Sequence, residues 1–238
     1  MCGRYALARS TRELASLFDG REAPGLGESY EPSYNLAPAR LAVGLALVSA
    51  GDRVLDTYRW GLVPAWAGDP SIGNRLFNAR AETLSTSKAF ADAFAHRRLV
   101  VLADGFFEWH AGPDGRRRAL YFHRPDGAPL ALAGLWERWR DPMHGRHEPL
   151  YSCTIVTTGA GPDLAGVHDR MPVVLEPALL DRWLDPGRYD PHDVGPLLGP
   201  APAGTLVHHA VDPRVGDVRN DRPELVAPYE DQELRLFD

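Results

Sequence analysis

Short apolar, β-prone runs recur near residues 41–49, 54–60, 98–107, 119–123, 129–136, 150–158, 172–175 and 205–211. Several have the length and the flanking turn residues of strands. Stretches rich in glycine and proline at 20–38, 111–115 and 185–204 read as the loops between them. Helical patterns are fewer. Ser10 and Glu13 form a capping box ahead of Leu14, Leu17 and Phe18. Phe90 and Phe94, with Ala89 and Ala93, put one apolar face on a helix near 86–97. Pro177 fits the first turn of a helix ending near Leu184. The strands do not alternate regularly with helices, which argues against a doubly wound sheet. The pattern predicts a single α+β domain dominated by a curved, partly open β-barrel-like sheet with a few peripheral helices.

Composition narrows the class. The chain has 238 residues, 44% hydrophobic and 24% charged, enough for one sizeable core. No apolar run reaches the length of a membrane span, and MCGRYALARS lacks the apolar core of a secretory signal. The expectation is a cytoplasmic protein without a membrane partner, nucleoid-associated if prokaryotic. The net charge of -6 argues against coating nucleic acid through bulk electrostatics. It leaves room for a local patch, because Arg4, Arg9 and Arg12 precede the first acid, Glu13. Two cysteines, Cys2 and Cys153, are too few for a disulfide framework or a cysteine-only zinc site. Neither His144 with His147 nor His208 with His209 adds a recognisable ligand set. The glycine-rich GAGPDLAG at 159–166 lacks the Lys-Ser/Thr ending of a P-loop. No metal and no cofactor is expected.

Candidate chemistry begins at Cys2. A small residue after Met1 permits removal of Met1, and the new terminus then carries an amine and a thiol on adjacent carbons. Unperturbed, these titrate near ~8 and ~8.5, so both are partly nucleophilic at neutral pH. With an aldehyde, the amine forms an imine and the thiol closes a five-membered thiazolidine. An internal cysteine cannot do this. Lys88 is the only lysine, so few side-chain amines compete for an imine. Position alone leaves alternatives open. Cys2 is equally a small residue at a chain end. It is also the start of an N-terminal-nucleophile amidohydrolase of the glutaminase type, which begins Met-Cys-Gly and uses the freed amine as base.

Several segments together resemble the SRAP family, the SOS-response-associated peptidases or abasic-site processing proteins. They are MCGRY at the start, YNLAP at 34–38, WGLVPAW at 60–66, FNARAET at 77–83, ADGFFEW at 103–109, TIVTT at 154–158, HDRMP at 168–172 and VRNDRPELVAP at 218–228. They follow the family's order from Met1 to about Pro228, giving a domain over 1–228 and a tail over 229–238. No glutamine-binding segments of the amidohydrolases follow the opening MCG.

The resemblance implies a catalytic set of Cys2, Asn78, Glu108 and His168. It implies a partner: single-stranded DNA, or a single-strand/duplex junction, carrying an abasic site. The expected activities are a thiazolidine crosslink that shields the lesion, self-removal of Met1 by a Cys-dependent peptidase step, and a possible lyase reaction through the imine. Glu108 is then the proton acceptor, or the group that activates water for Met1 removal. His168 is the acid that opens the closed sugar. Asn78 offers a donor and an acceptor to the sugar or to the terminal amine. Arg4, Arg80 and Arg170 are assigned to phosphates, with Lys88 and Thr157 beside them. Lys88 stands where some members carry arginine, so it supplies a point charge and not a fork. Trp60, Trp66 and Trp109 are candidates for stacking on bases, with at least one of them expected in the core. No protein partner is implied.

Overall fold

The computed structural model describes residues 2–49, 51–112, 115–143, 148–188 and 190–229. Its described strands fall into two sheets. The first comprises β1 (Tyr5–Leu7), β3 (Ser33–Leu36), β8 (Gly105–Ala111), β9 (Arg117–His123) and β13 (Val207–Ala210), ordered β13-β9-β8-β1-β3. The second comprises β2 (Arg21–Glu22), β4 (Leu41–Ser49), β5 (Asp52–Trp60), β7 (Arg98–Ala103), β10 (Leu130–Trp139), β11 (Leu150–Gly159) and β12 (Arg170–Pro172). Its order is β12-β11-β10-β7-β4-β5-β2, with β6 (Asn78–Arg80) added along β11.

The second sheet curls until β5 meets β11 in parallel, at Arg59–Ser152 and Trp60–Cys153. That contact closes a ring of β4, β5, β11, β10 and β7. It is short, and farther along β11 the place of β5 is taken by β6. The result is the curved, barrel-like sheet with few helices that the pattern predicts. β7 is buried from Arg98 to Ala103 on both faces, which explains its unbroken apolar run.

The first sheet keeps the alternation of a strand buried differently on its two sides. Tyr5, Leu7, Phe106 and Phe122 face the main core. Ala6, Phe107, Ala119 and Tyr121 face a second cluster, completed by Val211, Val215 and Leu225 from the C-terminal segment. The run expected at 98–107 splits at Asp104, where the chain leaves one sheet for the other. The Asp104 carboxylate accepts the Ala8 N–H (2.6 Å) and the Arg9 Nε–H (2.9 Å), tying the crossing to the N-terminal segment. Gly105 is needed there, because a Cβ would lie 2.5 Å from the Phe122 carbonyl oxygen and the Tyr121 ring.

Ser10 caps α1 (Thr11–Leu17), its Oγ accepting the Glu13 N–H at 3.2 Å. The Glu13 carboxylate pairs with Arg9. The helix expected over 86–97 is confined to α3 (Ala91–His96). The helix begun at Pro177 opens as a 3-10 turn, Pro177–Leu179, and continues as α4 (Leu180–Leu184). Two short helices, α2 (Leu26–Ser29) and α5 (Pro191–Val194), occupy segments read as loops. Arg98, buried under the Trp183 ring, pins α3 and α4 to β7. It donates to the carbonyls of Phe94, Ala95, Trp183, Asp185 and Arg188. No helix among the described residues is long and apolar enough to cross a membrane. Of the tail expected at 229–238, all beyond Tyr229 lies outside the described residues.

Candidate active site

Cys2 leads into β1 and is fully buried. β1 and β8 pair antiparallel, with Tyr5 opposite Phe106, and the Phe107 N–H donates to the Arg4 carbonyl at 2.9 Å. One further step along this register sets Glu108 beside Gly3. Strand parity gives Glu108 the face of Phe106, toward the main core, and it is only 4% exposed. A glutamate on the solvent face of a strand is thereby excluded. Burial, and then the Glu108 charge, push the Cys2 thiol well above its ordinary range, against a smaller lowering by the Arg4 N–H. The sulfur is therefore a protonated thiol near neutrality in this state.

Asn78 reaches the same place from β6. Its backbone pairs with Ile155 of β11, and its Nδ2–H donates to the Cys2 carbonyl at 2.7 Å. The Asn78 Oδ1 is buried and has no hydrogen-bond partner among the described residues, leaving an acceptor beside Cys2. Cys2 shares its buried cluster with the Tyr5 and Trp60 rings, which lie 5.1 Å apart.

His168 lies just before β12. The Arg170 N–H donates to its Nδ1 at 2.9 Å, and Asp169 Oδ1 lies 2.8 Å from the same atom. The two contacts need opposite roles of Nδ1. The Asp169 side chain is 86% exposed and open to water, so the backbone contact is the stronger determinant. A neutral His168 then carries its proton on Nε2.

The residues assigned to DNA divide into two groups. Trp66 is 52% exposed, with Lys88 Nζ 4.9 Å over its ring, and Arg80 is exposed. Trp109 is half-buried, with the Arg4 guanidinium 5.8 Å from its ring centre. By parity Trp109 and Arg4 occupy the opposite face of the β1–β8 pair from Glu108. Two assignments need correction, Trp60 and Thr157, while Arg170 and Arg4 already bind groups within the protein. Trp60 is fully buried and its indole N–H donates to the Phe77 carbonyl at 2.8 Å, so it offers no ring face to a base. Thr157 is fully buried as well, its hydroxyl directed at the Ala79 carbonyl at 3.4 Å. Arg170 commits its fork to Glu82 and to the Thr157 carbonyl. Arg4 donates through Nη1 to Asn35 Oδ1 and the Val215 carbonyl, both at 2.8 Å.

Asn35 is a residue that sequence reasoning passed over. Buried in β3, its Nδ2 faces the carbonyls of Val215, Asp217 and Asn220, binding the C-terminal loop beside Arg4. The only signal was a polar residue inside the quoted YNLAP segment. A cavity of about 540 Å³ beside α1, lined by Ser10, Thr11, Glu22 and Glu28 among others, contains none of the site residues. Among the described residues no group of three His, Cys, Asp or Glu side chains is placed to hold a metal ion. His144 and His147 lie outside the described residues.

Comparison with known proteins adds a family. A family model described as SOS response associated peptidase (SRAP) matches residues 1–218. The abasic site processing protein YoqW of Bacillus subtilis is 35% identical over 229 residues, spanning 96% of this chain and 100% of that protein. The abasic site processing protein HMCES of Gallus gallus is 32% identical, over 97% of this chain and 78% of that protein. The abasic site processing protein YedK of Escherichia coli is 31% identical, over 96% and 100%. A solved structure from Bacteroides thetaiotaomicron shares the fold, with a TM-score of 0.86 at 20% identity over 96% of this chain and all of that one.

Proposed function

The chain belongs to the SRAP family, and from that premise we propose that it captures abasic sites in DNA as a covalent thiazolidine on Cys2, after removing its own Met1. The observation that carries this reading is the seat of Cys2. Cys2 has its carbonyl held by Asn78 and a buried carboxylate, Glu108, close enough to act on its thiol.

The steps follow from those groups. Hydrolysis of the Met1–Cys2 peptide adds one water, leaving a carboxylate on methionine and an α-amine on Cys2. Glu108 serves as the base for that water, and Asn78 holds the Cys2 carbonyl. A closed abasic sugar opens when its anomeric hydroxyl gives up a proton and its ring oxygen gains one through solvent, and His168 is given the role of easing that transfer by donating a hydrogen bond from Nε2–H to the ring oxygen. The α-amine adds to the exposed aldehyde carbon and water is lost, giving an imine. The thiol then adds across the C=N bond, sulfur bonding to carbon and the proton ending on nitrogen. The raised thiol pKa suits this order, because the amine is the group that adds first. An imine also acidifies the adjacent sugar carbon, so strand cleavage by elimination competes with ring closure. Arg80 and Lys88 supply phosphate contacts, and Trp66 and Trp109 supply stacking, on a single strand or a junction.

The test is incubation with a single-stranded oligonucleotide carrying one abasic site, followed by denaturing electrophoresis. A shifted band that survives denaturation in the wild type and is lost in Cys2→Ala is the expected result. An equal shift in both proteins refutes the thiazolidine.

A further inference from the structure

Two site residues arrive along opposite edges of β11. Asn78 comes on β6, and His168 comes just ahead of β12. Both edges are occupied at Thr157, which pairs with Arg80 on one side and Pro172 on the other. The Arg170 side chain crosses β11 at that point. Its Nη2 donates to the Thr157 carbonyl at 2.7 Å. Its two terminal nitrogens take the two carboxylate oxygens of Glu82, at 2.5 and 2.9 Å. Glu82 lies in the 3-10 turn Ala81–Thr83, directly after β6. The Arg170 main-chain N–H holds His168 Nδ1. One arginine is thus tied through its backbone to His168 and through its side chain to the segment that carries Asn78.

The pair is a two-point fork, the geometry that fixes orientation as well as distance. Arg170 is largely enclosed, its side chain 15% exposed, whereas that of Glu82 is 54% exposed. The hydrogen bonds from Arg170 hold the Glu82 carboxyl below its usual range, so it is charged at neutral pH. The charge neutralises an arginine on a protein that, in the function proposed above, binds a polyanion. An acid at this point works against DNA affinity, so its contribution must lie elsewhere.

We propose that Glu82 is a positioning residue: through Arg170 it fixes His168 against the Asn78 strand and keeps the His168 proton on Nε2. The DNA-dependent part rests on the proposed capture reaction, and the tautomer part does not. Glu82→Gln keeps the side-chain shape but cannot complete the charged fork. Three measurements on the full chain separate the alternatives. In ¹⁵N spectra, the His168 ring of the variant is expected to leave the single Nε2–H tautomer for a mixture. Binding to an unmodified single-stranded oligonucleotide is expected to hold or tighten, with a salt slope steeper by about 0.7 as one cation is released to a phosphate. Capture of an abasic oligonucleotide at saturating protein is expected to slow by about 10- to 100-fold, the scale of a small misplacement of a reacting group.

A purely structural pair predicts otherwise: affinity and capture fall together with the melting temperature, and the His168 tautomer is unchanged. That result overturns the proposal, as does wild-type capture with a wild-type tautomer. Arg170→Lys keeps the charge but not the fork, and is expected to slow capture without the gain in affinity. If the wild-type protein forms no crosslink, the function reading fails, and the tautomer measurement alone decides whether Glu82 positions His168.

Discussion

Replacing Asn78 by alanine removes the hydrogen bond donated to the Cys2 carbonyl at 2.7 Å and the buried Oδ1 acceptor beside it. The carbonyl is left beside a void in a site where Cys2 is fully buried. Leaving a buried acceptor unpaired costs about 1–3 kcal/mol. Where that cost falls on positioning Cys2 for addition, the capture rate drops by about 5- to 150-fold, since ~1.4 kcal/mol is a factor of ten. Where it falls on folding, the melting temperature drops by about 2–4 °C per kcal/mol for a chain of this size. Single-turnover capture of an abasic oligonucleotide, measured well below the transition, reads the first quantity, and a thermal melt reads the second. Asn78→Asp is the companion variant: it keeps the volume but turns an acceptor toward the Cys2 carbonyl. It is expected to lose at least as much as alanine. Capture by Asn78→Ala at the wild-type rate, with an unchanged melt, would refute the assignment of Asn78 to the site.

Further outcomes follow from the same geometry. Glu108→Gln should slow Met1 release and capture, yet lower the pH at which iodoacetamide alkylates Cys2, because it removes the second cause of the raised thiol pKa. Slower alkylation in the variant would reverse that sign. Trp66→Ala should weaken binding to single-stranded DNA by about 1–3 kcal/mol with little change in the melt. Trp60→Ala should destabilise the fold by about 3–5 kcal/mol, and the opposite pattern would undo the division between exposed and core tryptophans. Asp217 is held at about 2 by Arg219, chiefly through its side chain and then through its backbone N–H. A depressed pKa contributes stability that is present above the unfolded value and is lost as pH falls through the folded one. Thermal melts between pH 5 and pH 2 should therefore show an acid-side loss that Asp217→Asn reduces.

The long strands were legible because their burial is continuous or alternating over many residues, as in β4, β7, β10 and β11. The short ones were not. Tyr5–Leu7, Ser33–Leu36 and Asn78–Arg80 are three or four residues long and become strands through partners distant in the chain. The helix expected over 86–97 is confined to six residues, Ala91–His96, and ahead of it the Ser87 carbonyl takes the Phe90 and Ala91 N–H groups in a separate turn. The candidate site is proposed from residue types, and its geometry is only partly legible in the sequence. Trp60 and Trp66 bracket one segment, WGLVPAW, and sequence treats them alike. The structure puts Trp60 at the pairing that closes the barrel and Trp66 in an exposed turn. Arg170 and Thr157 are assigned to DNA from the segments they sit in, and their partners within the fold are not legible there. Their partners, Ala79 in β6 and Glu82 in the turn after it, come from a segment whose neighbour is set only on folding.

The central claim is that Cys2, once freed of Met1, bonds to an abasic sugar through both nitrogen and sulfur. Intact mass of the denatured protein after incubation with an abasic oligonucleotide tests it most directly. The expected species equals the chain without Met1 plus the oligonucleotide minus one water, and is absent from Cys2→Ala. A chain that keeps Met1 and carries no adduct, or an adduct of equal yield in Cys2→Ala, would contradict it.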